Sequence, residues 1–111
     1  MSTIFQKIIN GEVPSKKVFE NDRIIAFHDI APKAPVHILI VPKKPLKDLS
    51  DICEEDGPLL GEMLLVAKQL AEEFGIAHDF RLISNCGLHA GQVVFHLHFH
   101  LIGGKQLGGF A

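Results

Sequence analysis

The stretch Val93-Val94-Phe95-His96-Leu97-His98-Phe99-His100-Leu101-Ile102 decides how this chain is read. Histidine and apolar residues alternate strictly from His96 to Leu101. A β-strand sends successive side chains to opposite faces, so His96, His98 and His100 are expected on one face. Phe95, Leu97, Phe99 and Leu101 are expected on the other, directed into a core. Imidazoles two residues apart on a strand stand roughly 6.6 Å apart along the backbone. Three of them in register are costly to place without a purpose, and the segment reads as a strand that carries a site.

Outward from that strand, the helical and extended patterns alternate. Thr3 and Gln6 have the spacing of a capping box and predict a short helix over 4–9, closed by Gly11. Residues 16–20 and 23–28 read as strands joined by a tight turn at Asn21-Asp22. Pro32 and Pro35 mark residues 30–35 as an irregular connection, and 37–41 is a strongly apolar strand ended by Pro42. Leu60, Met63, Leu64, Ala67, Leu70, Ala71 and Phe74 recur at helical spacing. They predict one long helix with Pro58 near its start and Gly75 just past its end. Residues 79–85 and 93–102 complete the set, linked by a loop over 86–92. The order α-β-β-β-α-β-β predicts an α+β domain with a mainly antiparallel sheet of five strands. One long and one short helix flank it, the long one packed on Phe95, Leu97, Phe99 and Leu101.

A chain of 111 residues fits one domain over 1–111, able to bury roughly 60–70% of its unfolded surface. Eleven basic and thirteen acidic residues give a net charge of −2 and an isoelectric point near 6.4. This excludes the basic footprint of a nonspecific nucleic-acid binder. No run approaches the 18 or more apolar residues of a membrane span. Cys53 and Cys86, far apart and outside any CxxC pattern, suit a reducing compartment. No secretory leader is evident, and a cytoplasmic location is expected.

Three chemistries compete for the histidine row. Polar residues on a solvated sheet face account for one histidine, but poorly for three with no Lys, Glu or Thr among them. A zinc-binding module would use His-x-His with His37 from a neighbouring strand as a further ligand, yet no Cys or carboxylate falls at ligand spacing nearby. Nucleophilic catalysis uses every feature of the segment. Neutral imidazole attacks phosphorus near neutral pH, and a neighbouring imidazole stabilises charge on the phosphoryl oxygens. The glycine-containing loop 87–92 is expected to add backbone N–H donors.

Residues 91–102, Gly-Gln-Val-Val-Phe-His-Leu-His-Phe-His-Leu-Ile, resemble the His-φ-His-φ-His-φ-φ signature of the histidine triad (HIT) superfamily. The block from Ala26-Phe27-His28-Asp29-Ile30 through Pro42-Lys43 is similar to the Hint branch of that superfamily. So is the N-terminal stretch from Thr3-Ile4-Phe5 to Val13-Pro14-Ser15, so that the likeness covers essentially the whole chain. It implies a HIT-like dimeric fold and a purine nucleoside phosphoramidase. Such an enzyme cleaves the P–N bond of adenosine or guanosine 5′-phosphoramidates, including AMP-lysine, through a nucleotidyl-histidine. By resemblance His98 is the nucleophile, His100 contacts the phosphate, and His96 and His37 support them. Asn85, Gly91 and Gln92 fall on phosphate-pocket positions and Asp29 on the ribose-binding carboxylate. Ile4, Phe5, Ile8, Phe27, His28 and Ile30 fall on the base cleft. Where the family commonly carries Ser or Thr next to the leaving group, this chain has Val93, with only its backbone N–H to offer. The implied partners are a purine nucleotide (AMP or GMP) and a second copy of the chain, with no metal or organic cofactor, nucleic acid or membrane. A dinucleoside polyphosphate hydrolase of the same superfamily and a nucleotide-binding scaffold without activity are the related alternatives.

Overall fold

The computed structural model describes residues 2–109. Its elements follow the chain as α1 (Ile4–Ile9), β1 (Lys17–Glu20), β2 (Ile24–His28), β3 (Val36–Pro42), α2 (Gly57–Glu73), β4 (Phe80–Ile83) and β5 (Phe99–Gly103). The strands form one sheet in the order β1-β2-β3-β5-β4, with every pairing antiparallel. This is the five-stranded antiparallel α+β arrangement with one long and one short helix.

Local chemistry accounts for the turns. The Thr3 hydroxyl accepts from the Gln6 N–H, and the Gln6 side chain accepts from the Thr3 N–H, a complete capping box for α1. Between β1 and β2, Asn21 Oδ1 accepts from the N–H groups of both Arg23 and Ile24, closing the turn with a side chain. Just past the end of helix α2 stands Gly75, whose φ of 76° is a left-handed conformation that glycine adopts without a Cβ clash.

Alternation splits the sheet into two layers. Ile24 and Ala26 of β2, Val36, Ile38 and Ile40 of β3, and Leu101 of β5 pack beneath Met63, Val66, Ala67, Leu70 and Ala71 of α2. Ile25, Phe27, Leu39 and Val41 point the other way and meet Phe5 and Ile8 of α1. Strand β3 is buried at all seven positions, as a central strand covered on both faces must be.

Three expectations about the packing are corrected. The helical stripe of α2 runs through Val66 rather than Leu64, which is 50% exposed. The strand expected over 93–102 pairs only at Phe99–Gly103. Pro42 has no N–H with which to extend the β3 ladder, and its carbonyl is taken by the His96 ring at 2.7 Å. On the other side of β5 the Ser84 hydroxyl, not a backbone amide, donates to the His98 carbonyl at 2.8 Å. Residues 93–98 therefore run beside the sheet without joining it. Of the four residues expected beneath the long helix, Leu101 lies in that core and Phe99 packs against it. Leu97 is buried but belongs to neither layer's core cluster, and Phe95 is 42% exposed beneath the Lys47 ammonium.

Candidate active site

The register of the sheet assembles the site. His100 stands between Leu39 of β3 and Ile83 of β4, and His37 stands opposite Ile102. His37 and His100 are thus diagonal neighbours on the α1 face, within reach of each other. Their Nε2 and Nδ1 atoms lie 2.9 Å apart. The ring of His98 packs edge-on against His100, with 4.9 Å between centroids, and against Phe5 at the same distance. The row that forms is therefore His37–His100–His98. His96, expected as its third member, is turned away and buried, its Nε2–H donating to the Pro42 carbonyl. β5 begins only at Phe99, so alternation of faces does not bind the residues before it; His98, one residue before, stays beside His100, while His96 is drawn off by its bond to the Pro42 carbonyl.

Hydrogen bonds fix which nitrogen of each ring carries a proton. The Lys33 N–H donates to His37 Nδ1 at 3.0 Å. His37 accordingly holds its proton on Nε2 and donates it to His100 Nδ1, which leaves the His100 proton on Nε2. His98 is set the opposite way. Its Nδ1–H donates to the His96 carbonyl at 2.7 Å, leaving Nε2 with a bare lone pair. Adjacent rings so present one acceptor and one donor.

The charge state agrees with these tautomers. Burial holds His98, His96 and His37 below the usual histidine range. His100 is lowered to about 4, by burial first and then by its neighbours His98 and His37. All four are neutral at pH 7, and neutral imidazole is the form able to act as a nucleophile.

A cleft of about 1060 Å³ opens beside His98 and His37. Of the expected binding residues, Ile4, Phe5, Ile8, Phe27, His28, Asp29, Ile30 and Val93 all line it. Ile30 is wholly exposed at its rim, and Val93 is 80% exposed. Asp29 is held by its Oδ1, which accepts from the Ala31 N–H at 2.8 Å, while Oδ2 stands 3.4 Å from His37 Nε2. His28 also meets Phe74 edge-on. Asn85 and His100 line a second compartment on the far side of His37. Gly91 and Gln92 line neither cavity. Gly91 supplies a left-handed turn, φ 104°, and a Cβ there would meet the Asn85 side chain at 3.4 Å. Gln92 is buried, its Oε1 accepting from the Gly87 N–H and its Nε2 donating to the carbonyls of Lys47 and Val94. That amide braces the loop.

The loop's amides are engaged more than the sequence suggests. The N–H groups of Ala90, Gly91 and Gln92 donate back to the carbonyls of Gly87 and Leu88. The Val93 N–H makes no hydrogen bond to any described residue. Lys33, whose backbone sets the His37 tautomer, and Ser84, which pins the His98 carbonyl, carry no side-chain signature that sequence reasoning could use. Asp29, His37 and His100 each bring one ligand atom within 4.8 Å of the others and are the group here able to hold a metal ion. His96 and His98 lie outside that group.

A neutral imidazole with a free lone pair, a neighbouring N–H donor and an apolar cleft thus lie together at one end of the sheet. The HIT domain family model matches residues 10–107, and the chain belongs to the HIT family of hydrolases. It is 49% identical over 107 residues to the purine nucleoside phosphoramidase of Escherichia coli K12, covering 96% of this chain and 90% of that one. A HIT family hydrolase from Legionella pneumophila superposes with a TM-score of 0.94 at 42% identity, over 96% of each chain. A histidine triad protein from Clostridium difficile does so at 0.93 and 46%, over all of this chain and 97% of that one.

Proposed function

We propose that this protein is a purine nucleoside phosphoramidase, with His98 as the nucleophile. The observation that carries the reading is the opposed tautomers of His98 and His100. In the first step His98 Nε2 attacks phosphorus, a P–N bond to the imidazole forms, and the bond to the leaving nitrogen breaks. That nitrogen takes the electron pair, collects a proton from water and departs as an amine. Water then attacks phosphorus, the P–Nε2 bond breaks, one proton returns to solvent, and the nucleoside monophosphate is released. The His100 Nε2–H and the amides of Asn85 and Val93 are suited to hold the phosphoryl oxygens. His96 acts through its carbonyl, which orients His98, so it is a positioning residue. Asp29 accepts from the ribose hydroxyls, and the apolar cleft takes the purine of AMP or GMP.

This chemistry needs no cofactor. The exposed, unpaired Cys53 and Cys86 fit a reducing cytoplasm. No helix among the described residues is long and apolar enough to cross a membrane. We also propose a homodimer. Strand β4 is the last in the sheet and carries an exposed Phe80, an edge that favours pairing with a second copy.

The test is mass spectrometry of enzyme quenched during turnover of adenosine 5′-phosphoramidate. One added AMP on His98 is the expected result. An unmodified His98 with the nucleotide on His100 or His96 overturns the assignment. Preferred turnover of a diadenosine polyphosphate would favour the hydrolase alternative. Loss of activity on chelation, restored by Zn²⁺, would favour a metal at Asp29, His37 and His100.

A further inference from the structure

His98 stands one residue before β5, outside every registered strand pair. Two tethers hold its stretch of backbone instead. The Leu97 N–H donates to the Leu46 carbonyl at 2.8 Å. The Ser84 hydroxyl donates to the His98 carbonyl, also at 2.8 Å. The first tether is backbone at both ends. The second depends on one side chain, placed just past the last residue of β4.

The register shows what that hydroxyl replaces. Ile83 pairs with His100, so an antiparallel ladder continued by two residues would pair Asn85 with His98. The His98 carbonyl faces β4, as its bond to Ser84 requires, and such a rung would bring the Asn85 N–H to it. The hydroxyl takes the carbonyl one residue earlier. The ladder stops, and the Asn85 N–H makes no hydrogen bond to any described residue. Asn85 and His100 line one compartment, so the open amide belongs to the space that the imidazole borders.

We infer that Ser84 is a positioning residue of the reaction: its hydroxyl holds the His98 backbone for attack and keeps the Asn85 amide free for the phosphoryl oxygens. The inference rests on the phosphoramidase reading with His98 as nucleophile, and adds to it a residue outside the reacting atoms. Without the hydroxyl, the His98 carbonyl either loses this tether and lets the nucleophile drift, or captures the Asn85 N–H and removes a donor. Both outcomes slow attack on phosphorus. A nucleophile misplaced by about 1 Å loses on the order of 10²-fold, and a lost oxyanion donor costs about as much.

Ser84→Val and Ser84→Thr form the decisive pair, because their side chains have nearly the same shape and differ in the hydroxyl. The measurement is the single-turnover rate of amine release from adenosine 5′-phosphoramidate with enzyme in saturating excess. Calorimetry with adenosine, which has no phosphate, checks the cleft. Ser84→Val is expected to react roughly 10- to 100-fold more slowly than the parent, and Ser84→Thr to keep the parent's rate. Adenosine is expected to bind all three proteins equally. Ser84→Ala adds no bulk and is expected to follow Ser84→Val, so an Ala variant as fast as the parent overturns the inference on its own. Equal rates for the Val and Thr variants also overturn it, as does a loss of adenosine affinity in step with the loss of rate. In each of those cases an AMP adduct on His98 of the quenched parent leaves the phosphoramidase reading standing. No turnover by the parent overturns both.

Discussion

The two faces of one sheet are built from the same strands and have opposite fates. Beneath α2, Ile24, Ala26, Ile38, Ile40 and Leu101 meet a helix of 17 residues that covers them. On the other face, Ile25, Phe27, Leu39 and Val41 meet α1, which has 6 residues and covers only the β2–β3 side. His37 and His100 lie past the end of that cover. A period of two residues lets each strand serve stability on one face and chemistry on the other. The length of the covering helix decides which face stays open.

Three measurements break or sharpen this contrast. The largest effect is expected from His98→Asn, which removes the proposed nucleophile but leaves a polar side chain in its place. Phosphoramidate turnover should fall on the order of 10⁴-fold or more, with thermal stability and AMP binding near the parent's. Turnover within tenfold of the parent would remove His98 from its role. On the covered face Leu70→Ala should do the reverse. Leu70 is fully buried, and the cavity should cost about 2–5 kcal/mol in urea unfolding. The kcat of the folded fraction should stay unchanged, and a large loss of kcat would mean that the faces are coupled.

The smallest effect comes from pH. His37, His96, His98 and His100 all have folded values below the unfolded value of about 6.5. Their contribution to stability is therefore complete above pH 6.5 and is lost as pH falls, for His100 down to about 4. In that range the unfolded chain takes up protons that the folded chain refuses. The urea midpoint should drop between pH 7.5 and 5, less in His98→Asn than in the parent. Carboxylates such as Asp56 and Glu62 are held low by Lys44 and Arg23 and add their own loss only at lower pH. A midpoint that is flat from 7.5 to 5 would show that the histidines are not buried neutral.

Much of the architecture was legible because it rests on local signals. The capping box at Thr3, the Asn21 turn, the apolar run of β3 and the glycine after α2 each act within a few residues. The cleft was legible in part, since eight of the expected binding residues do line it. Its other walls, Pro14, Ser15, Lys16 and Leu39 among them, belong to separate elements that meet only across the sheet. The long helix misled at one point because Leu64 keeps helical spacing with Leu60 and Ala67 just as Met63 does with Val66 and Ala67, and only the packing chose the Met63–Val66 stripe.

By itself the sequence determined that His98 and His100 would lie side by side near a sheet surface, because alternation is a property of the local backbone. It determined equally that a Pro-rich turn would return His37 to the neighbouring strand. Only the tertiary structure decided that His96 leaves the row. That depended on Pro42, 54 residues away, supplying a carbonyl and no N–H. Only the tertiary structure decided which nitrogen of each ring holds its proton. Those choices follow from the Lys33 amide and the His96 carbonyl, two backbone groups that every residue type carries and no side-chain pattern reveals.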